Sequence, residues 1–185
     1  MRIIVLNLHY KQKTPKHIKA MALELVYLSA LSGEKCSFYA VLVDHCAQTE
    51  FENFIQEHQA QFYSEVKEII QRLHQMGKTT GALHPFFKKE GNRVYVQRFG
   101  HTVCALYDEE QKFLRLYCVR LSEKTVILGG GGPKSKLIRR WQEDEHLSSH
   151  VHQMMHVGEI LLLRLKNNAI NLSPTGILSG DLTIH

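Results

Sequence analysis

The stretch Glu109–Lys136, EEQKFLRLYCVRLSEKTVILGGGGPKSK, sets the fold class. It holds two short runs of β-forming residues, Leu114–Leu121 and Thr125–Leu128, separated only by Ser122, Glu123 and Lys124. That link is short enough for a hairpin. Alternate residues of a strand share a face, so Arg115, Tyr117 and Val119 fall on one side and Leu116, Cys118 and Arg120 on the other. Gly129–Gly132 is expected to end the second strand, because glycines weaken regular structure and permit positive φ.

A glycine run after an apolar strand invites a phosphate-loop reading. The P-loop needs a glycine immediately before its lysine. Here Pro133 precedes Lys134, and proline has no N–H to offer a phosphate. Too little chain follows to build the sheet of such a domain, so a nucleotide-binding loop is set aside.

Outward from the hairpin, the chain changes period at Ala82. Leu83–Lys88, Arg93–Phe99 and Thr102–Tyr107 read as strands, with Gly81, Gly91-Asn92, Gly100 and Asp108-Glu109 as turns. Before them lie two helical patterns. Thr49-Glu50-Phe51-Glu52 has the capping-box spacing, which starts a helix at Glu50. Phe62, Val66, Ile69, Ile70, Leu73 and Met76 repeat at helical spacing up to Gly77. Ser37–Val43 reads as a strand, and Arg2–His9 as another. Thr14-Pro15 signals a helix start, with Ile18, Met21, Ala22, Leu25 and Leu28 continuing to Gly33. Behind the glycines, Leu137–Trp141 and Glu145–Leu165 look helical, and 167–185 reads as short extended pieces or a poorly ordered tail.

The expected architecture is α+β: a twisted antiparallel sheet of four to six strands backed by a helix pair, with an N-terminal strand and helix (1–35), a core (36–142) and a C-terminal helix and tail (143–185), all within one compact domain. Two helices on one face would leave the other face open.

The chain has 185 residues and a net charge of +5 with its twelve histidines uncounted, which favours an anionic partner. Its four cysteines form no CxxC pair and read as buried thiols in a reducing compartment. No window is long and apolar enough for a membrane span, and the N-terminal apolar run is too short for a signal peptide. A cytoplasmic protein with no membrane partner is expected.

The cations of the sheet are Lys88, Lys89, Arg93, Arg98, Arg115 and Arg120, followed by Lys134, Lys136, Arg139 and Arg140. On an open sheet face they would bind phosphates, with aromatic groups stacking bases. His146, His150, His152 and His156 form two i,i+4 pairs that could each ligate a metal. HExxH is absent, so a polar helix face is the preferred reading and no metal or other cofactor is assigned.

The order strand, helix pair and strand series, with FFKK (Phe86–Lys89), VQR (Val96–Arg98), LRLY (Leu114–Tyr117) and TVIL before a lysine cluster, resembles the RelE/ParE superfamily of bacterial toxins, its HigB-like branch most of all. The similarity covers about Ser37 to Arg140. It implies an endoribonuclease that needs no metal, a hydrolase-type toxin of a type II toxin–antitoxin module. It also implies a cognate antitoxin partner, RNA engaged on the ribosome or off it, and room for a homodimer. Carried over by position, Lys88, Arg98, Arg115, Lys134 and Lys136 would hold the scissile phosphate. Lys89, Arg93 and Arg120 would add phosphate contacts. His101 and Tyr117 are the candidates for proton transfer around a 2′-hydroxyl attack, with Arg98 and Arg115 in the catalytic set. A binding protein without catalysis, or a gyrase-type inhibitor, is the alternative.

Overall fold

The computed structural model describes residues 22–90, 103–106, 111–138 and 140–184. Within them the chain is α+β, a mostly antiparallel seven-stranded sheet with three α-helices. The strands of the sheet are β1 (Leu23–Tyr27), β2 (Ser37–Val43), β3 (Phe87–Glu90), β4 (Val103–Leu106), β5 (Leu114–Ser122), β6 (Thr125–Pro133) and β9 (Thr183–Ile184). They lie in the order β3-β4-β5-β6-β2-β1-β9. The helices are α1 (Glu50–His58), α2 (Tyr63–Gln75) and α3 (Glu145–Lys166), and β7 (Ile170–Leu172) pairs with β8 (Leu178–Gly180) as a separate ribbon.

Sequence accounts for the central elements directly. Thr49 caps α1 reciprocally: its hydroxyl accepts from the Glu52 N–H, and the Glu52 carboxylate accepts from the Thr49 N–H at 2.8 Å. In β5, Leu114, Leu116 and Cys118 face α1 and α2, while Tyr117 and Val119 face α3. SFYAVLV in β2 is apolar almost throughout because both faces of that strand are covered.

Several expectations are corrected. The sheet has seven strands among the described residues, and β2 runs parallel to β6 over Ser37–Ala40 and Thr125–Leu128. The face expected to be open is covered by α3, whose Val151, Met154, Val157 and Leu161 pack on Tyr39, Val41, Val119 and Ile127. The apolar stripe of α3 needed a partner, and the sheet supplies it.

Within the expected N-terminal helix, Leu23–Tyr27 is instead a strand that pairs with β2 and β9. Leu23 and Leu25 point inward while Glu24 is exposed, a period of two that the wider helical spacing concealed. Leu137–Trp141 is not an α-helix: Leu137 sits exposed in a turn and a short 3-10 turn spans Trp141–Glu143. The C-terminal segment is ordered into β7, β8 and β9. Its ribbon is tied to the core where the Leu178 N–H donates to the Tyr39 hydroxyl at 2.8 Å and Thr125 Oγ1 donates to the Gly176 carbonyl at 2.9 Å. The strand and helix start expected over 2–21, and the strand expected over Arg93–Phe99, lie outside the described residues.

Candidate functional site

β6 does not end at its glycines. It continues through Pro133, paired with β5 as Leu116↔Gly131, Arg115↔Gly132 and Leu114↔Pro133. Its register with β2 stops at Leu128, and the pairing with β5 shifts between Leu116 and Cys118. None of Gly129–Gly132 has a positive φ. What these glycines supply is room. A Cβ on Gly129 would lie 2.3 Å from Met154 Sδ, and one on Gly130 would lie 2.5 Å from His150 Cε1 and 3.0 Å from Glu50 Oε2. One on Gly131 would lie 1.9 Å from the Arg115 carbonyl oxygen, and one on Gly132 would lie 3.1 Å from the His146 ring.

The space opens into a cavity of about 150 Å³ between α1, α3 and the glycine strand. Glu50, Asn53 and Glu57 line it from α1, His146 and His150 from α3, and Gly130 with Gly131 from β6. His150 Nδ1 stands 3.8 Å from Glu50 Oε2, and the two histidine rings meet edge-to-face with centroids 4.7 Å apart. His146 is exposed at the mouth, while His150 and Glu50 are mostly enclosed. Burial, then the neighbouring His146 and His58, push the His150 imidazole down to about 4. Burial, then Glu57, raise the Glu50 carboxyl above its ordinary value. Burial thus makes the charged form of each group harder to hold than it is in water.

A basic corner adjoins this cavity along the same strand. Lys134 lies three residues beyond Gly131, about 10 Å in extended chain. Its N–H donates to the Phe113 carbonyl at 2.8 Å, and Lys136 Nζ lies 5.5 Å from the centre of the Phe113 ring. Phe113 is 37% exposed, and Lys112 forms a 2.7 Å ion pair with Glu68. Arg115 is only 6% exposed, and its Nη1 donates to the carbonyls of Lys112 at 3.0 Å and Leu114 at 2.9 Å. A row of rings, Phe54, His58, Phe62 and Phe113, joins cavity to corner with successive centroids 5.1, 6.3 and 6.2 Å apart.

No family model matches the chain, and no curated protein or solved structure matches it. Its chemistry is therefore read from its own side chains.

The expected site residues separate. Arg115, Lys134 and Lys136 come together at the basic corner. Lys88 and Lys89 are exposed on β3, across the sheet from it. Arg120 is a brace: its Nε donates to the Ala82 carbonyl at 2.6 Å, its guanidinium lies 6.0 Å from the Phe87 ring centre, and Nη2 sits 3.7 Å from Glu123. Tyr117 is 1% exposed beneath α3, so it is corrected from a proton-transfer candidate to a core residue. Arg93, Arg98 and His101 lie outside the described residues, as does Arg139.

Among the described residues no three His, Cys, Asp or Glu side chains are grouped as a metal site. His152 turns away from His146 and His150 to meet the Trp141 ring edge-on at 5.5 Å. Cys104 and Cys118 are direct cross-strand partners and both are free thiols, pushed up by burial. Sequence reasoning placed Glu50 only as the residue after a helix cap, and His146 and His150 only as a helix face. The four glycines were the signal that something bulky approaches β6.

Proposed function

We propose that the chain is an RNA endonuclease of the RelE/ParE toxin type, restrained by an antitoxin protein that covers its basic corner. The observation that carries this reading is the Lys136 ammonium poised over the half-exposed Phe113 ring, with Lys134 and Arg115 anchored to the same turn of chain. Exposed aromatic faces stack unpaired bases, and lysines beside them follow the phosphate backbone without regard to sequence. The α+β frame, with its helix pair against one face of the sheet, is compatible with the resemblance in LRLY, FFKK and TVIL. Within the reading, Arg115 is a positioning cation that holds the 112–115 turn, while Lys134 and Lys136 meet the substrate.

The test is direct. Purified protein should bind single-stranded RNA with an affinity that falls as salt rises, because each neutralised phosphate releases counterions. Phe113→Ala and the double variant Lys134→Ala/Lys136→Ala should weaken binding, the lysine variant also flattening the salt slope. Induced expression should halt growth and truncate transcripts. Harmless expression with intact RNA sinks the toxin reading, and binding with no cleavage points to the non-catalytic alternative.

A further inference from the structure

We infer that His150, His146 and Glu50 form the proton-transfer site of this chain, at which a ribose 2′-hydroxyl entering the glycine-strand cavity attacks its adjacent phosphate. The inference rests on the RNA reading above and names catalytic residues that the resemblance does not supply.

Three observations point there. First, Glu50 and His150 come from chain segments 100 positions apart yet meet over Gly130, where a Cβ would crowd both, and His146 packs on Gly132. Glycine within a strand is less stable than alanine, so these two positions trade stability for space. Second, the contact is too long for a structural pair. A charge-assisted hydrogen bond closes to about 2.7–2.9 Å, whereas His150 Nδ1 and Glu50 Oε2 stand 3.8 Å apart beside a cavity of about 150 Å³. Catalytic contacts in unliganded sites are often loose in this way. Third, a cation-bearing segment adjoins the cavity: Lys134 follows two residues after Gly132, against which His146 packs, just past the end of the strand.

The roles follow from position. His150 is enclosed and unprotonated at neutral pH, the form a general base must hold. It takes the proton of the 2′-hydroxyl as the O2′–P bond forms. His146, at the exposed mouth, gives a proton to the 5′-oxygen as the P–O5′ bond breaks. The products are a 2′,3′-cyclic phosphate and a free 5′-hydroxyl. The cycle closes when His150 loses its proton to water and His146 regains one, so no oxidant or further reactant is needed. Glu50 touches neither reacting oxygen. It is a positioning residue that sets the orientation and basicity of His150.

The test uses the full chain, a mixed-sequence single-stranded RNA and its DNA counterpart. Native protein should cut the RNA to cyclic-phosphate ends and leave the DNA intact. His150→Gln should slow cleavage roughly 100- to 10,000-fold, the usual contribution of general acid–base catalysis, while RNA binding is retained. His146→Gln, exposed and safe for folding, should do the same and decides the matter if His150→Gln does not fold. Glu50→Gln removes negative charge beside His150, so the acid limb of the pH–rate profile should move to lower pH. Native-rate cleavage by folded His150→Gln and His146→Gln overturns the proton-transfer site and leaves the RNA reading standing. DNA cut as fast as RNA overturns the 2′-hydroxyl attack. Native protein that neither binds nor cuts RNA overturns both.

Discussion

His150 of α3 meets Glu50 of α1 across Gly130, 3.8 Å apart, at a position where a single methyl group would collide with the imidazole and crowd the carboxylate. That arrangement makes the glycine run a packing device. Its φ angles are ordinary, so substitutions there should be ranked by what the new Cβ meets.

The glycine series gives the first prediction. Gly131→Ala sets a Cβ 1.9 Å from the Arg115 carbonyl oxygen, a backbone atom that cannot step aside, and should be the most destabilising. Gly130→Ala presses on the enclosed His150 ring and should cost about 1–3 kcal/mol, the usual range for overpacking. Gly132→Ala meets the exposed His146 at 3.1 Å, whose ring can swing outward, and touches Leu147 at an ordinary 3.6 Å. The gain from restricting the unfolded chain, about 0.4–1 kcal/mol, should leave it near neutral. Urea midpoints of the three variants check the order, and equal losses at all three would contradict it.

Arg120 and Lys136 should part company. Arg120→Ala removes a 2.6 Å charge-assisted bond to the Ala82 carbonyl and the cover over Phe87. It should cost about 1.5–3 kcal/mol of stability, as hydrogen bonds from charged groups do. RNA affinity at a temperature where the variant is folded should hardly change. Lys136→Ala should do the reverse, weakening RNA binding with little effect on the melting midpoint. The pair of measurements, melting and binding on each variant, separates a structural cation from a ligand-facing one.

Thr49→Ala should cost about 1 kcal/mol, the usual loss for an N-cap hydroxyl. The expectation is sharpened by the reciprocal bond from the Thr49 N–H to Glu52 at 2.8 Å, which the variant keeps while losing the hydroxyl contacts. Glu52→Ala should therefore add to the loss less than independently, because both residues serve one cap. A double-mutant cycle read by denaturant unfolding tests it.

What could be read from sequence divides along a physical line. The α1 cap, the β5–β6 hairpin and the alternation that puts Arg115 and Arg120 on opposite faces all follow from contacts within a few residues. They were legible. The parallel pairing of β2 with β6 and the placing of α3 over Tyr117 depend on contacts between distant segments, and local pattern cannot choose among them. The active-site reading failed at Tyr117 for that reason: alternation gave its face correctly but not what covers the face. Leu23–Tyr27 shows the converse error, where the spacing of Leu25 and Leu28 imitated a helix while Leu23 and Leu25 were serving a strand between β2 and β9. Glu50 and His150 gave no joint signal at all, since their meeting is purely tertiary.

Acid should expose the cavity's electrostatics. The His150 imidazole is pushed from 6.5 down to about 4 in the folded chain. Above 6.5 neither folded nor unfolded chain holds the proton, and the group costs nothing. As pH falls below 6.5 the unfolded chain takes the proton first, so stability is lost down to about 4, by at most about 3 kcal/mol at 1.36 kcal/mol per pH unit. Glu50 acts in the opposite sense. Its carboxyl is raised above 4.5, so the folded chain pays a penalty above its own pKa that is relieved as acid protonates it. His146, His58 and Glu57 face the same pair. The two contributions are separated by difference. Relative to His150→Gln, native protein should lose stability on going from neutral pH to about 4, because only native protein carries the reluctant imidazole. Relative to Glu50→Gln, it should gain over the range in which the carboxyl is protonated. Denaturant unfolding of the three proteins across that range reads both signs, and a His150→Gln profile parallel to the native one would mean that the imidazole is not held neutral by the fold.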